Sequence, residues 1–214
     1  LFLIFAREKP PTPPCAPDQA VRALMLDGLK HALRSRMFLL VLLVSFVGLG
    51  IFNGINTWIE GIVQGRGFSP TDAGTLGALM LVGGVIGAVI IPALSDRQRK
   101  RQRYLLLGIV LTIPGVIGLT FATEFWLLLG SAFALGFFLV STMPIAMQYA
   151  AEITYPTPEG TSNGLIQLFG QASVVFVFIM SVLKTPNDSF TPSLLLAIGL
   201  LVLCAGVITR LRDP

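Results

Sequence analysis

The sequence predicts an all-α polytopic membrane protein, a bundle of six transmembrane helices, and three observations carry the prediction. Hydrophobic residues make up 54% of the chain and charged residues 12%, about half the charged share of an ordinary soluble domain. After Arg36 the apolar residues gather into six runs, at 37–63, 73–94, 104–122, 125–150, 161–183 and 191–208. Each is as long as a helix rising about 1.5 Å per residue needs to cross a hydrocarbon core about 30 Å thick. Basic residues avoid these runs and crowd into alternate connections, the signature of a membrane topology rather than of a soluble fold.

The chain opens on Leu1, Phe2, Leu3, Ile4 and Phe5, which read as the tail of a preceding transmembrane helix, so an earlier portion of the protein is expected upstream. A charged start, apolar run and small-residue cleavage site do not occur in that order, so a secretory leader is not expected. Residues 6–36 read as a cytoplasmic linker. Prolines at 10, 11, 13, 14 and 17 favour an extended segment. From 18 to 34, Val21, Leu24, Met25, Leu29 and Leu33 recur at helical spacing among Arg22, Lys30 and Arg34, a basic amphipathic helix. It is suited to the anionic inner leaflet, and a solvated linker helix fits the same pattern.

The six runs form the bundle, 37–208, and residues 209–214 a short tail. Gly83 and Gly87 have the small-xxx-small spacing that lets two helices approach closely. Pro114 and Pro144 lie inside the third and fourth runs, where each frees a carbonyl and kinks its helix. Six Lys and Arg precede the first run, five lie between Asp96 and Arg103, and two stand at Arg210 and Arg212; only Arg66 and Lys184 occupy the other side. Thirteen against two places both ends in the cytoplasm of a cell-membrane protein. The connection at 151–160 should also be cytoplasmic yet holds no basic residue. The net charge of +4 is thereby spent on topology, and no nucleic-acid partner is expected. Cys15 and Cys204 fall in different compartments and do not suit a disulfide. His31 is the single histidine, and no metal-ligand spacing or cofactor motif is present.

Two segments carry motifs. Residues 92–101 read ProAlaLeuSerAspArgGlnArgLysArg, an acid followed by a cationic cluster at a cytoplasmic helix end. Such a cluster can close a gate through ion pairs and helix-end contacts, or simply anchor the topology. It resembles the GxxxDRxGRR signature of the major facilitator superfamily through Asp96, Arg97, Lys100 and Arg101, with Pro92 and Arg99 where the signature has glycine. Residues 152–165, GluIleThrTyrProThrProGluGlyThrSerAsnGlyLeu, follow LeuGlyPhePhe at 135–138 and Pro144. They are similar to the connection between helices ten and eleven in the superfamily branch related to the feline leukaemia virus subgroup C receptor. That branch is associated with haem and with choline or ethanolamine. The resemblance implies that this chain is the C-terminal six-helix half of a twelve-helix fold, partnered by an N-terminal half, and that Asp96, Arg97, Lys100 and Arg101 form a cytoplasmic gate.

The polar residues inside the runs are the candidate site. Asn163, Gln167 and Gln171 are spaced by four on one helical face, and Gln171 lies roughly 15 Å from the cytoplasmic end. The resemblance places Gln171 at a substrate-contacting glutamine; interhelical hydrogen bonding is the other reading, favoured for Gln167. Asn53, Asn56 and Glu60 share a face of the first run, beside Thr57 and Trp58. Trp58 suits either the membrane interface or a cationic cargo. Glu60 is the candidate proton carrier, although its position near the outer end also fits an interfacial carboxylate, and uniport is the alternative. Gln148, Ser141 and Thr142 read as packing residues. The run interiors hold no Lys, Arg or His. A small neutral or cationic solute is therefore favoured over an anion, and haem would find no histidine ligand within the bilayer.

The expected function is secondary active or facilitative transport by alternating access, with Gln171, Asn53, Asn56, Gln167 and Trp58 contacting the cargo. A membrane receptor or scaffold that moves no solute is the alternative. An enzyme is excluded on chemistry: His31 lies outside the runs, and Glu60 has no partner with which to share acid–base work.

Overall fold

The computed structural model describes residues 25–185 and 189–211; the expected upstream helix tail and the proline-rich linker lie outside them. All elements among the described residues are helices. A short α1 (Met25–Arg34) leads into α2 (Arg36–Gln64), α3 (Pro70–Gln98), α4 (Arg101–Phe121) and α5 (Phe125–Ile153). The fifth run divides into α6 (Glu159–Ala172) and α7 (Val175–Val182), and α8 (Thr191–Ile208) is the last. Among the described residues six helical units, α6 and α7 counting as one, are long and apolar enough to cross a membrane.

Local sequence explains the starts and stops. Ser35 breaks α1 from α2 and caps α2, its hydroxyl accepting the Phe38 N–H at 3.4 Å. Ser69 and Asp72 exchange hydrogen bonds in a capping box, with Pro70 pre-set for the first turn of α3. Pro92 does not end α3. The helix passes through it to Gln98, beyond the expected end at 94, so most of the motif at 92–101 is helical and the chain turns only at Arg99 and Lys100.

α2 and α5 are the central helices. α2 touches α3, α5, α6, α7 and α8, while α5 packs on α3 along most of its length and on α4 beside it. Glycine permits the α3–α5 approach. A Cβ on Gly83 would fall 2.6 Å from the Phe133 carbonyl oxygen, and one on Gly84 2.9 Å from Val140 Cγ2. Gly87 and Gly136 abut the partner backbone at Phe137 and Met80 in the same way. In a bilayer, where apolar burial gains nothing between helices, such backbone approach maximises dispersion contact. The expected packing role of Gly83 and Gly87 is thus seen directly. The opposite side of α3 exposes Leu81, Val82, Val85, Ile86, Val89 and Ile90, an apolar strip suited to lipid.

α1 lies against the connection between α5 and α6. Ala32 is fully buried, and Thr157 donates its hydroxyl hydrogen to the Gly28 carbonyl at 3.3 Å. Lys30, His31 and Arg34 remain exposed.

Candidate functional site

The motif at 92–101 folds into a charged knot around Arg101. Arg101 is the first residue of α4 and is buried, with 8% of its surface accessible. Its guanidinium donates to the Asp96 carboxylate from the last turns of α3 and to Glu152 Oε1 at 2.9 and 3.2 Å from the end of α5. A weaker bond reaches Ser95 Oγ at 3.4 Å. Gln148 Nε2 in turn donates to Glu152 Oε1 at 3.1 Å, so this glutamine does more than fill space. A fork of guanidinium donors shared between two carboxylates ties three helix ends together, which a lysine could not do. Arg99 supplies the tight turn by taking the left-handed conformation, φ 51°, where the superfamily signature carries glycine. Of the four expected gate residues, Asp96 and Arg101 are brought together. Arg97 is exposed on α3, and Lys100 stands at the start of α4 without a side-chain capping bond. Glu152 was legible only as part of the 152–165 resemblance, because its partner lies 51 residues away in sequence.

The second set of polar residues is spread along α2 and α6. On α2, Asn53 is half-buried while Asn56, Thr57 and Glu60 are exposed; on α6, Gln167 and Gln171 are exposed. Gln171 sits at the end of α6, immediately before the helix breaks. There the N–H groups of Ser173, Val174, Phe176 and Val177 bond three residues back instead of four, at 3.1, 3.2, 2.9 and 2.9 Å. The fifth crossing was expected as one continuous helix; the tight turn at Ser173 and Val174 divides it. Leu49 fills the space beside Gly170, which brings the middle of α2 level with this break. By the helical rise Gln171 is about level with Leu49, while Asn53 and Asn56 lie about 6 and 10 Å further along α2 and Gln167 about 6 Å back along α6. Asn163, lower on α6, has a buried Oδ1 without a hydrogen-bond partner.

Trp58 is placed differently. Its indole N–H donates to the Val177 carbonyl at 3.0 Å, and its ring lies 5.3 Å from that of Phe190. Trp58 thus joins α2 to α7 and the start of α8, and its donor is already used. At the other end of the bundle, Arg66 donates to the carbonyls of Leu119, Thr120 and Ala122 at 2.7 to 3.0 Å. These carbonyls end α4, where a cation offsets the negative pole of the helix. Partial burial lowers the Arg66 pKa, but a guanidinium titrates too high to lose its proton at physiological pH. Among the described residues no group of His, Cys, Asp and Glu could hold a metal ion, and Cys204 is buried and unpaired.

Six apolar crossings among the described residues define an integral membrane protein that contacts the lipid bilayer, a half-bundle of the kind found in solute carriers. The sequence profile of the Major Facilitator Superfamily matches residues 1–178 and 61–214, and the chain belongs to that family. An Archaeoglobus fulgidus protein of unassigned function is 32% identical over 185 residues, 86% of this chain and 83% of its own. Solute carrier family 49 member A3 of Xenopus tropicalis is 30% identical over 192 residues, covering 87% of this chain and 40% of the relative. A choline/ethanolamine transporter of Danio rerio is 25% identical over 213 residues, 94% of this chain and 44% of the relative. The chain thus spans less than half the length of these two vertebrate relatives. They fall in the branch that residues 152–165 resemble, a group of membrane transporters rather than enzymes.

Proposed function

We propose that this chain forms the C-terminal half of an alternating-access transporter that carries a small neutral or cationic organic solute, with an N-terminal six-helix half completing the path. The observation that carries the reading is the exposure of Asn56, Gln167 and Gln171 within otherwise apolar crossings. A primary amide turned to hydrocarbon forfeits hydrogen bonds at a cost of roughly 2–7 kcal/mol, so these faces belong against water, cargo or a second half-bundle. A helix broken beside a polar group is the device by which transporters build midplane sites.

In this reading Gln171 and Asn53 contact the cargo, Asn56 and Gln167 extend the polar seam, and Trp58 supports it by fixing α7. Glu60, exposed on the same face of α2, is the group that could couple transport to protons. Asp96, Arg97, Lys100 and Arg101 lie at the cytoplasmic gate, with Glu152 completing the knot. Both termini are cytoplasmic, in keeping with the thirteen basic residues on that side. The relatives that transport choline and ethanolamine support an amino-alcohol cargo. Uptake of radiolabelled choline and ethanolamine into proteoliposomes that contain this half together with its N-terminal half tests the reading. Saturable uptake that Gln171→Ala reduces at least tenfold supports it, and no uptake of either solute overturns it.

A further inference from the structure

Among the described residues every buried hydroxyl but two has a hydrogen-bond partner. The hydroxyls of Thr112, Thr120, Ser141, Thr142 and Thr154 each donate to a carbonyl one turn back, at 2.6 to 2.7 Å. Ser193 donates across to the Met180 carbonyl at 3.2 Å. Ser95 accepts from Arg101, as already described. Among the described residues the buried hydroxyls without a partner are Ser45 and Ser173. Ser45 is 4% exposed, nine residues into α2, and it lines a cavity of about 80 Å³ between α2 and α5. The other walls include Leu49, Phe52, Thr142 and Met143. Thr142 spends its hydrogen on Leu139 but keeps its lone pairs, so the cavity offers one free hydroxyl and one further acceptor.

That combination points to a ligand. A buried hydroxyl left unpaired costs about 1–3 kcal/mol, and the usual remedy, a carbonyl one turn back, is not taken here. The cavity is several times the roughly 15 Å³ that one water needs. Its walls carry no charge, and Phe52 and Met143 present a soft, polarisable surface. Leu49 separates it from Gly170, next to Gln171, so it adjoins the amide seam on its cytoplasmic side.

We propose that this cavity is a subsite of the transport path that receives the hydroxyl end of an amino-alcohol cargo, with Ser45 making the hydrogen bond that distinguishes an alcohol from its deoxy analogue. The inference rests on the transporter reading and adds to it a residue and a chemical selectivity. Gln171 and Asn53 then hold the rest of the cargo, while Ser45 reads one functional group. A hydroxyl–hydroxyl bond in a desolvated site is worth about tenfold in affinity.

The test compares choline with ethyltrimethylammonium, which lacks only the hydroxyl, in proteoliposomes containing the complete two-half protein, either wild type or Ser45→Ala. The wild type should take up choline with a KM about tenfold below that of the deoxy analogue. Ser45→Ala should raise the choline KM to the analogue's value and leave the analogue's KM unchanged. Ser45→Thr, which keeps the hydroxyl, should retain a preference for choline. If Ser45→Ala changes both solutes equally, or neither, the cavity holds only water or packs structurally, and the subsite is overturned while the transporter reading stands. If the wild type moves neither solute, the reading of function fails first, and the subsite with it.

Discussion

Neutralising Glu152 offers the sharpest test of how the charged end of the bundle is built. Arg101 is buried at 8% exposure and divides its donors between two carboxylates that are not equivalent. The Asp96 side chain is 62% exposed and the Glu152 side chain 31% exposed. Solvent screens the first pair heavily, leaving a contribution of about 1 kcal/mol or less. Glu152 accepts two well-aligned charge-assisted bonds from a drier position, so Glu152→Gln should cost about 2 kcal/mol. The full penalty for an orphaned buried charge, about 3–5 kcal/mol, does not apply because Asp96 still faces the guanidinium. For a chain of this size the loss corresponds to a Tm about 4–8 °C lower, against about 2–4 °C for Asp96→Asn. Fluorescence-monitored thermal unfolding in detergent reads both. The double variant should lose more than the sum of the singles, since it alone strands Arg101. A Glu152→Gln protein as stable as the wild type, or one less affected than Asp96→Asn, would refute the ordering of the two pairs.

Two smaller perturbations probe the joints around this core. Arg99→Gly should stabilise by about 1 kcal/mol, since a residue with a Cβ pays roughly that much for left-handed backbone; a fall in Tm would show that the Arg99 side chain contributes more than its turn costs. Trp58→Phe keeps an aromatic ring beside Phe190 but removes the N–H donated to Val177, and should lower stability by about 1 kcal/mol with cargo KM unchanged; a large KM effect would return Trp58 to the cargo site.

Much of this was readable in the residues because the bilayer imposes simple rules. Length and apolarity located every crossing, and Gly83 and Gly87 announced a close helix contact that the structure places against Phe133 and Phe137. The superfamily signature drew attention to Asp96, Arg97, Lys100 and Arg101 as a group, and the turn it carries survives the loss of its glycine because Arg99 reaches the required backbone conformation at modest cost. What was hidden is tertiary. Nothing local to Glu152 reveals that Arg101 lies against it, and the donor of Trp58 is claimed by a carbonyl 119 residues on. The break after Gln171 was equally silent, since neither glycine nor proline marks residues 172–175. The free hydroxyl of Ser45 could not be read at all, because an unmade hydrogen bond is a property of the packed bundle.

The most direct measurement is the environment of position 171. In a protein whose Cys15 and Cys204 are replaced by serine, Gln171→Cys should react with a charged, water-soluble methanethiosulfonate reagent, and a saturating amino-alcohol should slow that reaction. Modification only by a lipid-soluble maleimide, with no protection by solute, would place residue 171 against the acyl chains and contradict the polar seam from which transport is argued.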